Sequence, residues 1–240
     1  MQASNLSDHI SRRFNKDIED LRNNVLAMGG LVEAQLLRAI AAIVSGDSEL
    51  GLKVANDDYK VNNLEVSIDE ECSRILATRS PAASDLRFIV AIIKTITDLE
   101  RIGDEAEKIG FLASQLAAMD RPSDSYRELK YLGNHVSQML RAAMDGFARL
   151  DVEAALEVVK EDERVDEEYD AITRQCITLM MEDPRSIRRF MNVTWAARSL
   201  ERIGDHAKNI CEYVIYMVQG RDVRHTDMEQ IEGSDNHSSS

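Results

Sequence analysis

Leu99-Glu100-Arg101-Ile102-Gly103-Asp104-Glu105-Ala106-Glu107-Lys108-Ile109 returns as Leu200-Glu201-Arg202-Ile203-Gly204-Asp205-His206-Ala207-Lys208-Asn209-Ile210. Eight of the eleven positions are identical at an offset of 101 (200 − 99), and the first six, LERIGD, are unbroken. A repeat of this length in register marks an internal duplication. Each copy sets a Glu and an Asp four residues apart, which on a helix places both carboxylates on one face. Two like charges at that spacing repel by roughly 0.2–0.5 kcal/mol on an exposed helix. A chain that writes the arrangement twice calls for a cation there.

Working outward, the apolar residues fall into long helical stripes. Ile10, Phe14, Ile18, Leu21, Val25, Met28, Val32, Leu36, Ala39 and Ile43 recur at steps of three and four, predicting one helix from Asn5 to about Ser45. Ser45-Gly46-Asp47 ends it: Gly suits a left-handed C-terminal position and Asp47 can cap the next helix. A second helix is predicted over about 48–77, and Ser80-Pro81 breaks it. A third, over about 82–118, carries the first LERIGD.

The second half replays this plan, with helices over about 126–149, 152–181 and 185–219. Leu150-Asp151 stands in the place of Gly46-Asp47, and Asp183-Pro184 mirrors Ser80-Pro81. In the middle helices the offset is 104, pairing Asp58 with Asp162, Val61 with Val165 and Cys72 with Cys176. The expected fold class is all-α: a tandem pair of similar three-helix bundles, six long helices, spanning 5–119 and 122–219. A mobile polar tail is expected over 220–240.

Composition agrees. Only 5% of the residues are aromatic and there are three prolines in 240 residues, while good helix formers abound. The formal charge of −14 argues against nucleic acid or an anionic lipid surface as the main partner. Ser7 to Asp20 is amphipathic and charged, predicting no signal peptide, and no run reads as a membrane span. Cys72, Cys176 and Cys211 all lie in helical patterns and read as buried reduced thiols of a cytosolic protein.

On a helical wheel Ile92, Ile96, Leu99, Gly103 and Ala106 form the central stripe of the third helix, and Glu100 and Asp104 sit at its shoulder. Glu201 and Asp205 follow the same geometry, and Gly103 and Gly204 leave room for a close backbone or a ligand. The middle helices offer Asp162 with Asp166, and Asp58 with Asn62 in the first half. If middle and third helices pack together, three or four oxygens converge in each half, a set suited to a hard ion such as Mg²⁺ or Mn²⁺, or to iron. The plainer alternative is a solvated acidic face neutralised by Arg101 or Lys108. His206 reads as a surface histidine, and His9 and His135 have no support as ligands. The ExxH pair of di-iron bundles is absent, as are P-loop, GxSxG, HExxH and CxxC patterns, which lowers a metalloenzyme reading.

At its paired LERIGD segments the chain resembles the PhoU family, accessory regulators of bacterial phosphate transport. The likeness extends to His9-Ile10 with Phe14, Leu21 and Met28, and to Ser84-Asp85-Leu86-Arg87 followed by Thr97-Asp98-Leu99-Glu100-Arg101-Ile102-Gly103-Asp104. It implies two three-helix bundles with metal sites on E/DxxxD motifs, here Glu100/Asp104, Glu201/Asp205, Asp58/Asn62 and Asp162/Asp166. Asn62 stands where that motif wants an acid, so a weaker site is expected in the first half; Ser199 opposite Asp98 is a second asymmetry. The resemblance also implies a non-enzymatic cytoplasmic adaptor, commonly a homodimer, that restrains the phosphate-starvation response. Its implied partners are the ATPase subunit of the phosphate ABC transporter and a sensor histidine kinase, with the membrane reached only through them. The rival readings are a carboxylate-bridged metalloenzyme and a metal-free helical scaffold.

Overall fold

The structure, a computed structural model, describes the backbone of residues 2–119 and 126–223, and the side chains from residue 14 onward within them. Most of the predicted inter-bundle boundary and of the tail, together with the His9 side chain, lies outside the described residues. The described chain is helical throughout its ordered elements: α1 Gln2–Ser45, α2 Ser48–Asp57, α3 Tyr59–Arg79, α4 Ala83–Ala117, α5 Arg127–Arg149, α6 Val152–Glu182 and α7 Ile187–Gln219. A single 3-10 turn, Pro184–Ser186, leads into α7.

The helix ends follow the side chains that stop and cap them. Gly46 takes φ 71° after α1, and Asp47 accepts a bond from the Leu50 amide at 2.9 Å to start α2. In the second half Leu150 takes φ 54° and Asp151 caps α6 through the Ala154 amide at 3.0 Å. Ser80 ends α3 at φ 46° with its side chain exposed. That left-handed backbone costs an L-residue about 1 kcal/mol. Ser80→Gly is therefore expected to stabilise the protein by about 1 kcal/mol in urea unfolding, at an unchanged dependence on denaturant.

One predicted helix is two. The stretch expected to run unbroken from about 48 to 77 is interrupted at Asp58, whereas its counterpart α6 continues through Asp162. Asp58 keeps right-handed dihedrals (φ −60°, ψ −33°), so the chain does not turn; its carbonyl tightens onto the Val61 amide at 2.8 Å while the bond to Asn62 stretches to 3.4 Å. The Asp58 carboxylate accepts from Gln35 of α1 at 3.0 Å and from Asn62 at 3.1 Å. Nothing local in the sequence forces the break; it occurs where a buried carboxylate is held from a neighbouring helix.

Helices α1, α2–α3 and α4 pack as one three-helix bundle and α5, α6 and α7 as another. The halves join along α4 and α7, with α1 against α5 beside them, and a single apolar core runs through both. Close approach shapes the first bundle: Gly51 of α2 meets Gly110 of α4 backbone to backbone, so a Cβ on Gly110 would lie 2.7 Å from the Gly51 carbonyl oxygen. All three cysteines are free and buried, and burial pushes the Cys72 thiol up to about 12.

Two expectations need correcting. Phe14–Ser45 of α1 does contain an 18-residue window of mean hydropathy 1.5, apolar enough to cross a membrane by length and composition. In the fold half of that window is buried, with Leu21, Val25, Met28, Val32 and Leu36 wholly inside the bundle. The second concerns His206, which lies in the contact between α4 and α7. Asp98 of α4 bonds His206 Nδ1 at 2.6 Å and Asn209 at 3.1 Å, Glu105 meets Arg202 at 3.0 Å, and Gln115 accepts from Asn192 at 3.1 Å. His206 is thus neither a surface histidine nor part of the carboxylate clusters: it clasps the two halves.

Candidate metal centres

In the first half α2–α3 packs against the LERIGD face of α4. Oxygens of Asp58, Asp104 and Glu107 lie within 4.8 Å of one another, and among the described residues no other such group of three occurs. Gly103 makes the approach possible: a Cβ there would stand 3.0 Å from Asp58 Oδ1 and 3.2 Å from Val61. The room expected beside Gly103 is taken by the candidate ligand itself. Gly204 serves the second half likewise, facing Val165 at 3.2 Å.

The electrostatics of this cluster are those of negative charge held together without enough cation. Loss of solvent, then the charges of Asp104 and Glu65, raise the Glu100 carboxyl above its ordinary value. Loss of solvent followed by Asp58 and Asp104 does the same to Glu107, and loss of solvent with Asp69 to Glu65. Among the described residues the guanidinium at hand is that of Arg101, more than half exposed and standing 3.6 Å from Glu100 and 3.8 Å from Asp104. Asn62 spends its amide N–H on Asp58, and its buried Oδ1 has no partner. Clustered carboxylates plus an orphaned amide oxygen form an all-oxygen set that fits a hard divalent cation. Glu107 and Glu65 were not among the residues predicted from sequence. Glu107 lies inside the repeated segment, where it differs from Lys208; Glu65 carries no comparable signal.

The second half repeats the frame with different charges. Asp162, Asp166, Glu201 and Asp205 lie close enough for each to shift a neighbour's carboxyl, but no three of their oxygens converge as Asp58, Asp104 and Glu107 do. Desolvation and then Asp205 push Glu201 up to about 7; Asp166 and Asp205, both on the exposed rim, are raised by partial desolvation and by Asp162. Here, however, two cations enter. Lys208 Nζ sits 2.6 Å from Asp162 Oδ2, and Arg198 Nη1 bonds Glu201 Oε1, leaving the buried Glu201 Oε2 without a partner. Burial acts to lower the Lys208 pKa, but its bond to Asp162 and the charges of Asp162, Glu212 and Asp205 hold it above the ordinary value. His135, which had no support as a ligand, lies elsewhere, bridging Glu161 and Glu168 at 3.0 Å each.

The family model of the PhoU domain matches twice, over residues 25–113 and 129–214. The phosphate-specific transport system accessory protein PhoU homolog of Pseudomonas aeruginosa is 50% identical over 231 residues, 96% of each chain. The accessory protein PhoU of Escherichia coli is 45% identical over 236 residues, covering 97% of this chain and 96% of that one. Crystal structures agree: PhoU from Pseudomonas aeruginosa superposes with TM-score 0.84 at 51% identity, over 87% of this chain and all of that one. The phosphate transport system regulatory protein PhoU from Streptococcus pneumoniae superposes with TM-score 0.81 at 30% identity, over 88% and 99%. On the strength of two matched domains and near full-length relatives, this chain belongs to the PhoU family, accessory proteins of phosphate transport.

Proposed function

We propose that the protein is a cytoplasmic, non-catalytic adaptor that represses the phosphate-starvation response when phosphate is sufficient. It would do so by linking the ATPase subunit of the phosphate ABC transporter to a sensor histidine kinase, as a homodimer. The observation that carries this reading is the doubled PhoU domain, shared over nearly the whole length with relatives named as accessory to phosphate-specific transport.

In this reading Asp58, Asp104 and Glu107, with Glu100 and Glu65 around them, hold a divalent cation such as Mg²⁺, Mn²⁺ or Fe²⁺. The bound ion supplies charge neutralisation, which lets α2–α3 and α4 keep one relative position without mutual repulsion of their carboxylates. Asp58 ties that position to α1 through Gln35. The test is genetic and biochemical together. Deletion of the gene is expected to switch on phosphate-responsive genes in phosphate-rich medium; continued silence would sink the regulatory assignment. Asp58→Ala with Asp104→Ala is expected to abolish bound metal and to raise the same genes, in a protein that circular dichroism shows to be folded. Pull-down under high phosphate should recover transporter ATPase and kinase, and recovery of neither removes the adaptor.

A further inference from the structure

We propose that Lys208 is a tethered counter-ion that occupies the cation's place in the second half, so that one chain holds one divalent cation, in its first half. The inference rests on the reading that the first-half cluster binds such an ion. It reverses the order of strength expected from Asn62.

The duplication allows position-by-position comparison. Lys208 is the counterpart of Glu107 (208 − 107 = 101), one of the three residues whose oxygens converge in the first half. Its ammonium lies 2.6 Å from Asp162, the counterpart of Asp58 (162 − 58 = 104). Asp58 itself is held by neutral donors, Gln35 and Asn62. Arg198, bonded to Glu201, stands where the first half has Thr97, whose hydroxyl donates to its own helix at Ile93. Glu65 of the first cluster is replaced by Tyr169, whose ring lies 5.6 Å from the Arg198 guanidinium.

The charges then differ. Asp58, Glu65, Glu100, Asp104 and Glu107 are five carboxylates with Arg101 beside them and Lys108, itself bonded to Glu105, acting on Glu107, a formal sum of −3 (−5 + 2). Asp162, Asp166, Glu201 and Asp205 are four carboxylates facing Lys208 and Arg198, a formal sum of −2 (−4 + 2). A divalent cation reaching Asp162 must also displace Lys208 or sit beside its ammonium. Repulsion at such a distance weakens binding by at least about 100-fold even with generous screening. A tethered ammonium, unlike a free ion, is present at every metal concentration. The second half is therefore fixed in its filled state, and only the first responds to the supply of metal.

The test uses the full-length protein, stripped with chelator and titrated with Mn²⁺, free Mn²⁺ being read by electron paramagnetic resonance. Wild type is expected to take up one equivalent, Lys208→Glu two, and Glu107→Lys none. The metal-free Lys208→Glu protein should melt lower than wild type and recover on adding Mn²⁺. Lys208→Gln, which removes the charge without adding one, should also take up two should Lys208→Glu fail to fold. Two equivalents of similar affinity in wild type, or one equivalent in folded Lys208→Glu and Lys208→Gln, overturns the tethered counter-ion while leaving the first-half site standing. No uptake by wild type overturns both.

Discussion

Stripped of divalent cations, the protein is expected to melt about 5 °C higher near pH 5.5 than near pH 8, the reverse of an ordinary acidic protein on its acid limb. Glu100, Glu107, Glu65, Asp166 and Asp205 all have carboxyls raised above their ordinary values, chiefly by loss of solvent and then by neighbouring carboxylates, and Glu201 is pushed up to about 7. Unfolding returns each to the ordinary value near 4, so between about pH 4 and pH 7 the folded chain binds more protons than the unfolded one. The stabilisation from these groups is complete below their unfolded values and is lost as pH rises through the folded ones. Glu161, Glu71 and Asp57 are shifted downward and act oppositely, but only at pH values below the ordinary carboxylate range. Saturating Mn²⁺ at pH 8 should restore only the part lost in the first-half cluster of Glu65, Glu100 and Glu107, and Glu201→Gln should flatten the metal-free profile. Differential scanning calorimetry with and without metal decides it. A metal-free melting temperature rising steadily from pH 5.5 to 8 would show that the clusters are not strained by their own charge.

Gly110→Val is expected to cost about 3 kcal/mol, lowering the melting temperature by about 6–12 °C. A Cβ on Gly110 would stand 2.7 Å from the Gly51 carbonyl oxygen and 3.1 Å from Val54, and one on Gly51 only 2.5 Å from the Gly110 carbonyl oxygen. Both obstacles are helix backbone, which cannot rotate aside as a side chain does, so α2 and α4 must move apart. Gly30→Ala is the control: nothing lies within 4 Å of its Cβ position, and a gain of up to about 1 kcal/mol is expected on helix propensity. The damage should extend beyond stability. Gly103 and Gly110 lie two turns apart on α4, and Gly103 faces Asp58, so parting α2 from α4 at one glycine withdraws Asp58 from Asp104 at the other. Gly110→Val should thus bind Mn²⁺ more weakly even at temperatures where it is fully folded. Unchanged affinity would mean that α2 does not set the position of Asp58.

The repeat of LERIGD, the apolar stripes and the two proline-bearing loops were enough to read an all-α fold of paired three-helix bundles, because each is a local or periodic signal. Glu100, Asp104, Glu201, Asp205, Asp58, Asp162 and Asp166 could be picked out because the duplication set them in matching places. What escaped depends on packing between elements. The break at Asp58 has no glycine or proline to announce it; it falls where Gln35 of another helix bonds the Asp58 carboxylate. Lys208 was visible as a departure from Glu107 within the repeat, yet its sense appears only once α6 lies against α7 and brings Asp162 to 2.6 Å. His206 beside Asp205 looked like a surface residue because adjacency in sequence says nothing of Asp98, more than a hundred residues away, which receives it.

A chain made of two similar halves carries a hazard of mispairing: α4 can seek a second α4, within an aggregate or an exchanged dimer, in place of α7. The polar contacts between α4 and α7 bear on that choice. In an α4–α4 pairing the place of His206 would fall to Glu105 (206 − 101 = 105), setting one buried carboxylate against Asp98. In an α7–α7 pairing His206 would replace Glu105 opposite Arg202, and Ser199 would replace Asp98. Only the mixed pairing sets acid against base at both places. Divergence at positions 98, 105, 199 and 206 thus marks each helix as the other's mate, the mixed pairing being the one whose polar groups match where the apolar stripes are alike.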